Sequence, residues 1–362
     1  MSWQGIEGHD QIVDRFRTAL ARSRLASTFL FVGAGGIGKR TFANRLAQTL
    51  LCTEVPPADM APCGRCDSCI QCVALVHPDL HIVEKPADRS SIPLSLLVGD
   101  DNRRMREGLC HDIALKPFLG GRKVAIIDDA DDLNDEGANA LLKTLEEPPP
   151  NSVLILIGTS AERQLPTIRS RSQILRFRPL SADVVAKILQ DRGLVTDSDQ
   201  ARRLATYSEG SLTRAQELAD DELWCFRSRL FSYLASPTLN SVTLARELLA
   251  VVDAAGKDAA PRRLRARQLV TFAIDFYRQI LRVASGLHAE GDADLVAAVG
   301  RATAANADES ATEVLLACIE RSLEALAHID RNAHQATLLE CWLDGLGRII
   351  QMRHAMAPYA EL

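Results

Sequence analysis

The sequence predicts an α/β domain built on a parallel sheet, continued by two helical segments. Three observations carry this. The apolar runs at 28–32, 123–127 and 153–157 are continuous rather than alternating, as in strands buried on both faces. Helical patterns separate those runs, which is the order of a doubly wound sheet. After residue 178 the strand pattern stops and helical spacing continues to the end. The expected divisions are 1–178, with a cysteine-rich loop at about 52–72, then 179–236 and 237–362.

The first strand, Thr28 to Val32, leads directly into glycines. Residues 29–41 read FLFVGAGGIGKRT, and Gly33, Gly38 and Lys39 have the spacing of the phosphate loop G-x-x-x-x-G-K-[ST]. The motif ends in a hydroxyl that ligates Mg²⁺. Arg40 stands there instead, and Thr41 comes one residue late. A guanidinium does not ligate a cation. Loop amides and Lys39 are still expected to hold phosphates, so ATP with Mg²⁺ should bind weakly or not at all. Phe42, Leu46, Leu50 and Leu51 then follow helical spacing.

Five of the nine cysteines crowd into the next stretch, at Cys52, Cys63, Cys66, Cys69 and Cys72. Thiols at repeated two-residue gaps, in a chain whose first residues carry no signal pattern, read as a metal site rather than disulfides. A closed structural zinc site takes four ligands, so five thiols are one too many. An iron–sulfur cluster is the competing reading. The other four cysteines sit in helical contexts and read as buried apolar residues.

A strand is expected over 76–84. Lys123 to Ile127 is a further buried strand, with Asp128 at its carboxyl end, where a metal-associated carboxylate belongs. Asp129 follows where working ATPases of this type place a glutamate. Asn139 to Pro148 reads as a helix stopped by Pro148, Pro149 and Pro150. Val153 to Ile157 is another strand, ending at Gly158 and Thr159, and a short one is expected at 174–177. Helices are expected over 180–189, 201–207 and 211–218, a linker at 237–240, and helices from 241 on. Leu269, Phe272, Ala273, Phe276, Tyr277, Ile280 and Leu281 form an apolar stripe, read as core. The basic run 261–267 reads as a solvated helix face, with contact to DNA or an acidic partner as the alternative.

The apolar fraction of 47% supports packed cores, and no run is long enough to span a membrane. A formal net charge of −5 does not fit a protein that binds DNA unaided. A cytoplasmic location is expected.

NALLKTLEEPP at 139–149, Thr159 at its strand end and LPTIRSRS at 165–172 together resemble the bacterial DNA polymerase III clamp-loader subunits of the AAA+ class. Residues 6–25 and 329–342 resemble that family's leading helix and closing helices. The resemblance implies an AAA+ P-loop domain, a small helical lid and an all-α collar for oligomerisation. It implies structural Zn²⁺ on Cys52, Cys63, Cys66 and Cys69, leaving Cys72 spare. It implies that Thr159 is sensor 1 and that Arg171 is an arginine finger, acting on nucleotide bound by a neighbouring subunit. The family's sensor-2 arginine falls one residue late here, at Arg214, about 100° around a helix.

Within the family, the motor subunit needs Ser or Thr after Lys39, Glu after Asp128 and that arginine in register. It also carries a long extension, whereas this chain ends at Leu362. A chain with a finger and a degenerate nucleotide site resembles the delta-prime type, a stator that completes the ring. The implied partners are the gamma/tau motor subunits and delta, with the sliding clamp and primer-template DNA met through the assembled hetero-oligomer. The alternative is a gamma/tau-type motor ATPase with Thr41 moved into the metal site.

Overall fold

The computed structural model describes residues 3–86, 89–104, 106–119, 121–304, 311–331 and 333–356. They fall into two units, 1–216 and 217–362.

In the first unit the elements run α1 (Asp10–Ala21), β1 (Thr28–Val32), α2 (Lys39–Leu51), α3 (Asp67–Val73), β2 (Leu80–Val83), α4 (Leu94–Val98), α5 (Leu109–Ala114), β3 (Lys123–Ile127), α6 (Asp135–Glu146), β4 (Ser152–Gly158), α7 (Pro166–Arg171), β5 (Gln173–Arg176), α8 (Ala182–Asp191), α9 (Ser198–Tyr207) and α10 (Leu212–Glu217). The strands form one parallel sheet in the order β2-β3-β4-β1-β5. Every residue of β1, β3 and β4 is buried, as continuous apolar runs require.

Alternate residues serve opposite faces. Phe29, Phe31, Val124, Ile126 and Ile155 join one core with Phe16 of α1 and Phe42 of α2. Leu30, Val32, Ala125, Ile127 and Leu154 join the other with Leu97, Ile113 and Leu141 from α4, α5 and α6. Phe42 is fully buried, and its ring meets Trp3, Phe16, Phe31 and Phe177 at centroid distances of 5.0 to 5.9 Å. Burying each such ring contributes roughly 1.5–3 kcal/mol. This packing fixes where α2, and the loop before it, sit on the sheet.

Several elements differ from expectation at their edges. The strand expected over 76–84 is only Leu80–Val83, because His77 to Asp79 form a turn closed by Leu80 N–H donating to His77 O at 3.0 Å. Pro78 has no N–H to give a sheet, and the buried Asp79 carboxylate accepts the amides of Phe118 and Leu119 at 2.7 and 3.1 Å. The helix expected from Asn139 begins earlier, at Asp135, since the Asn134 side chain caps it through Gly137 N–H at 2.8 Å. Residues 166–171 form a short helix with Pro166 in its first turn.

The second unit is helical: α11 (Asp221–Leu234), α12 (Ser241–Ala254), α13 (Ala259–Ala284), α14 (Ala293–Ala304), α15 (Ala311–Asp330) and α16 (Gln335–Met356). The division falls between 216 and 217 rather than at the expected 236/237. The reason is α11, whose Trp224 and Phe231 rings pack on Phe272 and Phe276 of α13. The apolar stripe of α13 is core, as expected, except that Leu281 is only half-buried. The basic run 261–267 is not merely a solvated face. Arg262 pairs with Asp253 at 3.3 Å, the buried Arg265 with Asp220, and Arg267 with Asp330. Of the segment 329–342, Asn332 lies outside the described residues. Among the described residues no helix is long and apolar enough to cross a membrane.

Candidate nucleotide pocket and cysteine cluster

A cavity of about 500 Å³ opens at the carboxyl ends of β1, β3 and β4, where parallel sheets of this kind bind ligands. Gly38, Lys39, Arg40 and Thr41 line it from the loop and α2, Asp128 and Asp129 from the end of β3, and Thr159 from the end of β4. The chain therefore brings together every predicted nucleotide-site residue except Gly33, which lies just behind the lining. Gly33 donates its N–H to Thr159 O at 3.0 Å.

The loop has this shape because of its glycines. Gly38 starts α2 at φ 93°, a left-handed conformation that a side chain disfavours. Gly36 has φ 73°, and a Cβ there would lie 2.2 Å from Ser211 Oγ. Its carbonyl accepts Leu212 N–H at 2.9 Å, which ties the loop to the start of α10. His9 braces the other side, with Nε2 2.8 Å from Ile37 O and its ring edge-on to Phe177. Burial holds the His9 imidazole below its ordinary range, against the opposing pull of Ile37 O and Asp10.

Lys39, Arg40 and Asp131 are already engaged. Lys39 is buried and donates from Nζ to Gly33 O and Ala34 O, each at 2.6 Å. Burial lowers its ammonium, with Asp128, Asp131 and Asp129 pulling the other way. Arg40 Nη1 lies 2.5 Å from Glu84 Oε2 and 3.3 Å from Asp128 Oδ2. Asp129 adopts φ 53°, and burial, followed by the neighbouring Asp128, raises its carboxyl. Thr159 donates both its N–H and its hydroxyl to Asp131 Oδ2, and Gln164 donates to Asp131 Oδ1 at 2.7 Å.

These residues do not fit a magnesium ion. The hydroxyl ligand is replaced by a guanidinium, and that guanidinium takes the carboxylate that would draw the metal. Asp131, Glu84 and Arg192, which also lines the cavity, escaped the sequence reading. Nothing in the motif spacing singles out Asp131, and Glu84 was only the end of the strand expected over 76–84. The sensor-2 candidate Arg214 turns away and pairs with Glu209 at 2.7 Å, while Thr213 lines the cavity.

Arg171 lies outside this pocket, at the end of α7. Its Nη2 meets Glu146 Oε1 at 2.7 Å, and its Nη1 donates to Thr167 O at 3.2 Å and Ser170 Oγ at 3.3 Å. It does not line its own chain's cavity.

The cysteine cluster grows from the far end of α2. The sulfurs of Cys52, Cys63, Cys66 and Cys69 all lie within 4.8 Å of one another, with Cys63 and Cys69 at 3.9 Å. A tetrahedron with Zn–S bonds of about 2.3 Å has sulfur–sulfur edges of about 3.8 Å, so the set fits zinc. Two amides point at sulfur, Cys66 N–H to Cys63 at 3.3 Å and Cys69 N–H to Cys66 at 3.4 Å. Burial opposes ionisation of Cys66, but hydrogen bonds from Thr53 and from the Cys69 amide outweigh it and lower the thiol to about 6. Cys72 is not in the set. It is buried in the core and pushed up to about 12, by burial first. Ser68 Oγ donates to Leu51 O at 2.5 Å, and Gln48 Nε2 to Cys69 O at 3.2 Å, so the cluster staples the end of the helix whose start forms the phosphate loop.

A family profile described as "DNA polymerase III, delta subunit" matches residues 8–181. The "DNA polymerase III subunit delta'" of Pseudomonas aeruginosa is 36% identical over 198 residues, covering 54% of this chain and 57% of that protein. That of Bacillus subtilis is 30% identical over 224 residues, covering 61% and 63%. The "DNA polymerase III subunit gamma/tau" of Mycobacterium tuberculosis is 31% identical over 270 residues, covering 73% and 43%. The chain thus spans between 43% and 63% of the length of these relatives.

Proposed function

We propose that this chain is a subunit of the DNA polymerase III clamp loader, and that within that assembly it is a stator of the delta-prime type. One observation carries the reading: Arg40 occupies the metal-ligand position and pairs with Asp128 and Glu84. A site neutralised in this way does not organise magnesium-assisted hydrolysis. The subunit then contributes by completing the ring and by offering Arg171 to nucleotide held next door. The exposure of Arg171 outside its own pocket supports action in trans.

Under this reading α8 to α10 form the lid and the second unit the collar that joins the gamma/tau motor subunits and delta. The sliding clamp and primer-template DNA are met by the assembled loader, in the cytoplasm. Cys52, Cys63, Cys66 and Cys69 hold one structural Zn²⁺, which stabilises the domain and carries no chemistry.

Two features favour a motor as the second reading. The gamma/tau relative aligns over a longer stretch, and Thr41 lines the cavity. The purified chain decides between them. The stator reading expects negligible ATP hydrolysis by the chain alone, and a competent loader when it is mixed with motor and delta subunits. Turnover above about 0.1 per second, just below the usual enzyme range, overturns it. So does failure to join the ring.

A further inference from the structure

We propose that Arg40 is the resident counter-cation of the pocket, and that the pocket takes a nucleoside polyphosphate free of magnesium. The inference rests on reading the cavity as a nucleotide site that has lost hydrolysis, and it goes further by naming the ligand form.

A guanidinium carries five N–H donors in a planar fork. In Arg40 both carboxylate contacts are made by Nη1, to Glu84 at 2.5 Å and Asp128 at 3.3 Å. Among the described residues Nη2 and Nε make no hydrogen bond, and the side chain lines the cavity. The two acids therefore aim a cation at the place where a phosphate enters, and leave it donors for phosphate oxygens.

Three of the four acids that line the cavity with it are already engaged, and only Asp129 has no side-chain partner among the described residues. Asp131 is engaged by Thr159 and Gln164. Asp132 pairs with Lys85 at 2.7 Å. Asp128 is held by Arg40. The cations facing the cavity are Lys39, Arg40, Arg163 and Arg192, of which Arg163 lies 3.9 Å from Asp131. A divalent ion entering with the phosphates would sit beside a fixed guanidinium and be repelled by it. A free polyphosphate would instead meet the remaining guanidinium donors directly, with no bridging metal.

The test is titration of the full chain with a fluorescent N-methylanthraniloyl ATP, once in EDTA and once in excess Mg²⁺. The expected result is tighter binding in EDTA, and a loss of about ten- to hundredfold in EDTA for Arg40→Ala, as for removal of charge-assisted hydrogen bonds. Arg40→Thr restores the hydroxyl and should reverse the order, binding more tightly with Mg²⁺. Thermal melting of both variants checks that the fold is intact. Tighter binding of the wild type with Mg²⁺, an Arg40→Ala variant as tight as wild type, or no binding in either buffer overturns the inference. The last result leaves the stator role standing, because that role depends on assembly and Arg171 and is tested by ATPase and reconstitution.

Discussion

Replacing Arg171 with alanine separates a finger from a surface arginine, because the two roles predict effects of very different size. The side chain is 34% exposed and its partner Glu146 is 50% exposed. Such a pair contributes about 0.2–1 kcal/mol. Its hydrogen bonds to Thr167 O and Ser170 Oγ, at 3.2 and 3.3 Å, are long and solvated. A purely structural Arg171 would therefore cost about 1 kcal/mol or less, a melting shift below about 4 °C. An arginine finger contributes roughly 10³–10⁵ in rate at its site. The effect on the whole loader is smaller, since one site of several in the ring sees this residue. The expected outcome is an Arg171→Ala subunit that melts within a few degrees of wild type and assembles normally. Its loader should show reduced clamp- and DNA-stimulated ATPase and slower clamp loading. Arg171→Lys keeps the charge but not the planar fork, and should rescue poorly. Glu146→Gln removes the parked ion pair while sparing the finger, and should leave the stimulated rate at or above wild type. An assembled Arg171→Ala loader with unchanged stimulated ATPase and loading would refute the reasoning.

Two further outcomes are expected. Elemental analysis should find one zinc per chain. Cys66→Ser should empty the site and lower the melting temperature, since structural zinc contributes folding free energy directly, while Cys72→Ser should retain the metal; zinc loss from Cys72→Ser but not from Cys52→Ser would show the ligand set to be wrong. Burial depresses the folded pKa of His9 below the ordinary value near 6.5. The unfolded chain then binds the proton more readily, and stability falls as pH drops below about 6.5. His9→Gln should flatten that part of the stability–pH curve measured by denaturant titration, and an unchanged slope would exclude His9 as its source.

The sheet was legible because its signal is local. A strand buried on both faces must be apolar throughout, so 28–32, 123–127 and 153–157 announced themselves, and the glycines between strand and helix announced the loop. The four thiols were legible for a similar reason. Three of them lie within one turn-and-helix segment, which marks a metal site, but spacing left five candidates and only the family resemblance set Cys72 aside. The boundary at 216/217 was not legible, because α11 has the same amphipathic character whichever unit it serves. Only the seating of Trp224 and Phe231 on α13 decides the matter.

The least legible feature is the one that sets the chemistry of the pocket. The sequence shows that Arg40 is the wrong residue for a metal site. It does not show what an arginine does there, because its partners come from the ends of β2 and β3. A long side chain at the first turn of α2 could have pointed into solvent and left an open, merely weakened site. The parallel pairing of β2 with β3 instead brings Glu84 beside Asp128, and two carboxylates side by side repel unless a cation joins them. In a working ATPase magnesium meets that need as the nucleotide arrives. Here a covalently attached cation meets it permanently, so the loss of the hydroxyl and the capture of Asp128 form a single change. The pocket keeps its glycines, its buried Lys39 and its brace at His9, and Arg40 supplies a cation beside Asp128 from within the chain.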